Sequence, residues 1–143
     1  CGIYDPKPTY ILQSDFCYMI GKEMFDLFVG PELKTSAERL HRPFYHLDGI
    51  GQLNHLESVL NIDEIIGVQW VPGDGPNRDK DWIEVYRRIT NAGKKIYIWC
   101  EPERLGQLIN HLTGDMIYST GYTVNQADLP AQLEALKKIG VEL

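Results

Sequence analysis

The chain has no excess of basic residues. Fourteen lysines and arginines stand against 20 aspartates and glutamates, for a net charge of -6. That balance argues against the positive surface on which nucleic acid or an anionic membrane is held. Cysteine is scarce and scattered: Cys1, Cys17 and Cys100 form neither a C-x-x-C pair nor a disulfide framework. Three free thiols and no secretory h-region fit a reducing cytoplasm. No apolar run approaches the roughly 18 residues that a membrane span requires. Two catalytic signatures are also missing. There is no G-x-S-x-G elbow for serine hydrolysis, and Gly73-Asp74-Gly75 lacks the spacing of a phosphate loop, so it is expected only to turn the chain.

What is present is an alternation of short apolar runs with helical periodicity. Strands are predicted at residues 9–16, 43–47, 65–71, 95–100 and 116–119, the second stopping at Asp48-Gly49. A helix over 22–40 would bury Phe25, Phe28, Val29, Leu33, Ala37 and Leu40. The next would bury Leu53, Leu56, Val59 and Leu60. A third, capped by Asp81 and ended by Gly93, would turn Trp82, Ile83, Tyr86 and Ile89 inward. Leu105, Leu108, Ile109 and Leu112 mark a fourth helix and residues 130–139 a last one. Five strands separated by helices predict a parallel sheet in an α/β fold, since parallel neighbours need crossover connections. Residues 1–143 read as one domain, holding about the last five βα units of a parallel (β/α)8 barrel. Such a barrel typically needs about 250 residues. The short length and the opening Cys1 both agree with a piece of something longer.

In parallel α/β folds ligands meet the carboxyl ends of the strands. That rule selects Gln13, Ser14 and Asp15; His46 and Asp48; Gln69 and Trp70; Cys100 and Glu101; and Ser119, Thr120 and Tyr122. His46 and Asp48, two apart on a strand, share a face and can form a proton relay or supply two metal ligands. The plainer alternative makes Asp48 a turn residue and His46 a hydrogen-bonded strand end. Asp15 can accept a proton, bind a hydroxyl or merely cap the next segment, and Glu101 can be no more than a helix N-cap. Cys100 has the pattern of a small core residue. Trp70 and Trp99 can stack on a flat ligand or pack between sheet and helices. His41, His55 and His111 fall at surface or amphipathic-face positions.

The order of elements resembles the C-terminal portion of the uroporphyrinogen decarboxylase superfamily, over residues 10–141. The resemblance rests on Leu12-Gln13-Ser14-Asp15-Phe16, followed by a helix with Phe25, Phe28 and Pro31. It continues in Tyr45-His46-Leu47-Asp48-Gly49, in Ile66-Gly67-Val68-Gln69-Trp70 with Val71-Pro72-Gly73, and in Met116-Ile117-Tyr118-Ser119-Thr120-Gly121-Tyr122. It implies a (β/α)8 barrel and one of two reactions: methyl transfer involving a corrinoid carried by a partner protein, which is favoured, or decarboxylation of a tetrapyrrole such as uroporphyrinogen. Zinc methyltransferases of the family use an H-x-C-G motif and a later cysteine. Here His46 matches the histidine, Asp48 stands at the first cysteine and Tyr122 at the second, where the decarboxylases carry a histidine. The zinc thiolates are therefore replaced, and His46 is left as a candidate zinc ligand. On this resemblance His46, Asp48, Asp15 and Tyr122 are the expected catalytic residues. Gln13, Ser14, Gln69, Trp70 and Glu101 are expected to bind substrate. A barrel that binds tetrapyrrole or corrinoid without turnover is the remaining reading. Five strands of eight leave open edges, which predicts self-association or a partner chain that completes the ring.

Overall fold

Five short strands pair side by side in chain order, β1-β2-β3-β4-β5, and every pairing is parallel. They are β1 (Ile11–Gln13), β2 (Phe44–Asp48), β3 (Gly67–Val71), β4 (Lys95–Trp99) and β5 (Ile117–Thr120). The structure is a computed structural model and describes residues 5–73, 81–100, 102–112, 117–120 and 125–138. Between the strands run α1 (Lys22–Met24), α2 (Gly30–Ala37), α3 (Leu56–Leu60), α4 (Ile83–Asn91) and α5 (Pro102–Ile109), and α6 (Leu129–Lys138) follows β5. The predicted α/β class and parallel strands are present. Among the described residues no helix is long and apolar enough to cross a membrane.

The two faces of the sheet are sorted by the strand period of two. Tyr45, Leu47, Val68, Trp70, Ile96 and Ile98 join one core with Phe25, Val29, Leu33, Leu56, Val59, Val85, Ile89 and Leu108 from the helices. The opposite face carries a separate small cluster of Ile11, Phe44 and Tyr97. Gly67 makes that cluster possible. The Phe44 ring from β2 lies over it and meets the Tyr97 ring of β4 edge-on at 6.2 Å.

Local chemistry sets most of the boundaries. Asp81 Oδ1 accepts the Ile83 N–H at 3.1 Å, so the expected cap on α4 is made. Arg104 also reaches Asp81 Oδ1, at 2.9 Å, and holds that carboxyl below its ordinary pKa together with the Ile83 N–H. Gly49 and Gly93 have φ of 78° and 74°, the left-handed geometry expected where β2 stops and α4 ends. Lys94 is buried, and its ammonium donates to the carbonyls of Ile62 at 2.7 Å, Ile65 at 2.6 Å and Asp63 at 3.4 Å. Burial lowers its pKa against the opposing pull of Asp63 and Glu64. This one side chain ties the turn after α3 to the start of β4.

The first helix is interrupted by a wider turn. Between α1 and α2 the chain widens into a π-helical turn, Phe25–Val29, with the Gly30 N–H bonded to the Phe25 carbonyl. Pro31 follows, lacking an N–H and unable to accept an ordinary α-helical turn before its ring. Phe25, Val29, Leu33 and Ala37 are buried as expected, at a spacing of four. Phe28, expected inside, is 61% exposed.

Candidate functional site

The strand register assembles a row across the sheet. Gln13 pairs with His46, His46 with Gln69, Gln69 with Tyr97, and Tyr97 with Tyr118. Register partners on parallel strands share a face, and for Gln13, His46, Gln69 and Tyr97 that face is the one turned away from the helical core. Asp48 lies two residues beyond His46 and Trp99 two beyond Tyr97, so both stand on the same face, nearer the carboxyl ends. Polar and aromatic groups from four strands thus gather where a parallel sheet meets its ligands.

His46 is the centre of the row. Its Nδ1 lies 2.7 Å from Gln69 Oε1. A carbonyl oxygen can only accept, so Nδ1 is the donor of this pair, and in the neutral ring Nε2 is the nitrogen with the lone pair. Nε2 in turn lies 3.9 Å from Asp48 Oδ2, a carboxylate that is about half exposed. The Asp48 N–H reaches Gln52 Oε1 at 3.4 Å, which links the end of β2 to the turn behind it. On β4, the Trp99 indole N–H donates to the Tyr97 hydroxyl at 3.2 Å, and the rings meet edge-on at 6.3 Å. Trp99 stays 63% exposed, so an indole face is presented beside the row.

Other candidates fall elsewhere. Trp70 is on the opposite face, 4% exposed and packed edge-on against Trp82 at 5.2 Å; its place is in the helical core, away from a substrate in the row. Strand β1 ends at Gln13. Asp15 therefore starts a 3-10 turn (Asp15–Met19) on the surface, and the Ser14 carbonyl accepts the Cys17 N–H at 3.2 Å within that turn. Ser119 and Thr120 belong to β5. Glu101 and Tyr122 lie outside the described residues, as does the loop from Asp74 to Lys80.

His55 is the clearest departure. Expected on a surface or amphipathic face, it is fully buried, stacked on Phe25 at 4.5 Å with Nε2 donating to the Cys17 carbonyl at 2.8 Å. Nearby, Cys17 Sγ and the Tyr45 hydroxyl are 3.5 Å apart, and burial pushes both groups above their ordinary pKa. Cys17 is accordingly a packed thiol with no tendency to ionise. Tyr97 was not among the expected site residues. Counting by twos back from Trp99 puts it on the same face of β4, but its alignment with Gln69 comes from the register.

His46 and Asp48 offer one nitrogen and one carboxylate to a metal. Among the described residues no group of three histidine, cysteine, aspartate or glutamate side chains converges on one point. A zinc site takes three or four protein ligands, so the described donor set does not fit the resident zinc that the family resemblance implies. A depression lies on the helical side, among Lys22, Asp26, Lys34, Asn61, Asp63 and Glu64. Lys22 pairs with Asp26 and Lys34 with Glu64 there, so its charges largely answer each other. No family model, no curated protein and no solved structure matches the chain.

Proposed function

We propose that the chain is the C-terminal part of a uroporphyrinogen-decarboxylase-like (β/α)8 barrel enzyme that transfers a methyl group involving a corrinoid carried by a partner protein. Support for the barrel comes from strand order. A doubly wound sheet reverses its order at a switch point, whereas here five parallel strands follow one another without reversal. Right-handed crossovers then put every helix on one face and leave the other to line a hollow. Tyr10, Phe16, Leu27 and Phe28 stay exposed around the strand and helix that begin the sheet. A further βα unit, on the same or a partner chain, would cover them.

The observation that carries the reaction is the placing of the His46 ring, with Nδ1 against Gln69 Oε1 and Nε2 turned toward Asp48. In this reading the acceptor of the methyl group is a thiol. Nε2 takes the thiol proton as sulfur becomes the nucleophile, and the Asp48 carboxylate offsets the charge gained by the ring. The exposed Trp99 face supports the flat macrocycle. Asp48 in place of a cysteine favours a second reading, a barrel that binds tetrapyrrole or corrinoid and has no turnover.

The test is to supply the full-length protein with a methylated corrinoid and a thiol acceptor. Formation of the methyl thioether at a rate proportional to enzyme is the expected result. Binding of the corrinoid without thioether supports the second reading, and decarboxylation of uroporphyrinogen instead would replace the reaction.

A further inference from the structure

We infer that Gln69 is a positioning residue whose amide oxygen holds the His46 ring by Nδ1–H, so that in the neutral ring Nε2 is the nitrogen free to accept. The inference deepens the reading of His46 as a proton acceptor, and rests on it only for the consequence in turnover. Gln69 is 6% exposed on β3, and its Oε1 lies 2.7 Å from His46 Nδ1. Burying a primary amide is unfavourable unless its polar atoms are used, and an apolar residue would fill this strand position as well. The neighbouring in-phase residues Gly67 and Val71 are indeed apolar.

An acceptor oxygen in this place is informative. Free imidazole in water favours the proton on Nε2. An acceptor at Nδ1 reverses that preference and points the lone pair outward, past Asp48. A carboxylate in the same place would also accept from Nδ1–H, so the acceptor oxygen is the feature that sets the tautomer. The Gln69 oxygen orients the ring through Nδ1. The group that meets Nε2 is therefore one that brings a proton, such as a thiol or hydroxyl. A substrate carboxylate, which needs a donor, is not suited to that atom.

The experiment is a long-range proton–nitrogen correlation spectrum of the histidine side chains in the full-length, 15N-labelled protein under conditions where His46 is neutral. The wild type is expected to show His46 with a protonated Nδ1 and a bare Nε2. Gln69→Leu should lose that tautomer to the Nε2–H form, and Gln69→Glu, which keeps an acceptor oxygen, should retain it. In the thioether assay Gln69→Leu should lower kcat/KM by about tenfold to a hundredfold, the usual effect of removing a group that orients a functional histidine. A wild-type spectrum with Nε2–H overturns the inference, as an amide turned the other way would produce it. So does an unchanged Nδ1–H tautomer in Gln69→Leu. Should the Leu variant not fold, Gln69→Met is read in its place, and the wild-type spectrum decides the tautomer by itself. The expected tautomer without methyl transfer leaves the positioning role standing and removes only the proposed reaction.

Discussion

Gly67→Ala is expected to destabilise the protein by about 3 kcal/mol, and Gly67→Val to prevent folding. A Cβ built at Gly67 falls 2.3 Å from Phe44 Cε1 and 2.7 Å from the Lys95 carbonyl oxygen. Side chains can rotate away from a clash, but the second obstacle is backbone of the paired strand β4. Relief there means separating β3 from β4 or driving the Phe44 ring off its contact with Tyr97. The cause is space alone. Gly67 is not among the described glycines with positive φ, so alanine meets no backbone strain at this position. Since domains are typically stable by only about 5 to 15 kcal/mol, such a loss is large. Urea unfolding of the wild type and the alanine variant measures it. A difference within about 0.5 kcal/mol, the scale of a harmless surface change, would mean that β3 and Phe44 are not packed as described.

His46→Gln is expected to lower turnover by about 10²- to 10⁴-fold, the usual worth of a positioned acid–base group. Glutamine can still donate to Gln69 through its amide, but has no basic lone pair where Nε2 stands. The side chain is about a fifth exposed and contributes little to the apolar core, so the unfolding midpoint should stay close to that of the wild type. The effect is read in the thioether assay at saturating acceptor, where a loss confined to kcat identifies proton transfer. A variant with unchanged kcat and a raised KM would make His46 a binding residue.

Much of this fold was legible in the sequence because its local signals agree. Runs rich in β-formers lie where the strands are, Asp48-Gly49 stops β2, and Gly93 ends α4 with the positive φ that only glycine adopts freely. His46 and Asp48 were placed on one face by the period of two, which survives wherever a strand is regular. Register was not legible, because it depends on how neighbouring strands slide. For that reason Gln13, His46, Gln69 and Tyr97 could not be aligned in advance, and Trp70 and Trp99 could not be told apart. The two tryptophans sit on opposite faces of adjacent strands: one packs on Trp82 and the other stands open beside Tyr97. Phe28 was misplaced because it lies in a π-helical turn, just before Pro31, where a regular α-helix was expected. His55 was hidden because its stabilising partners are non-local. The Cys17 carbonyl and the Phe25 ring come from the segment between β1 and β2, far back along the chain (38 residues for the Cys17 contact).

The central claim is that the face opposite the helices is where the ligand sits. Titration of the labelled protein with a corrinoid, followed by chemical shift changes residue by residue, tests it most directly. Changes are expected at Gln13, His46, Asp48, Gln69 and Trp99, falling away toward Ile11 at the other end of the strands. Shifts centred instead on Lys22, Asp26, Lys34 and Asn61, in the depression on the helical side, would contradict it.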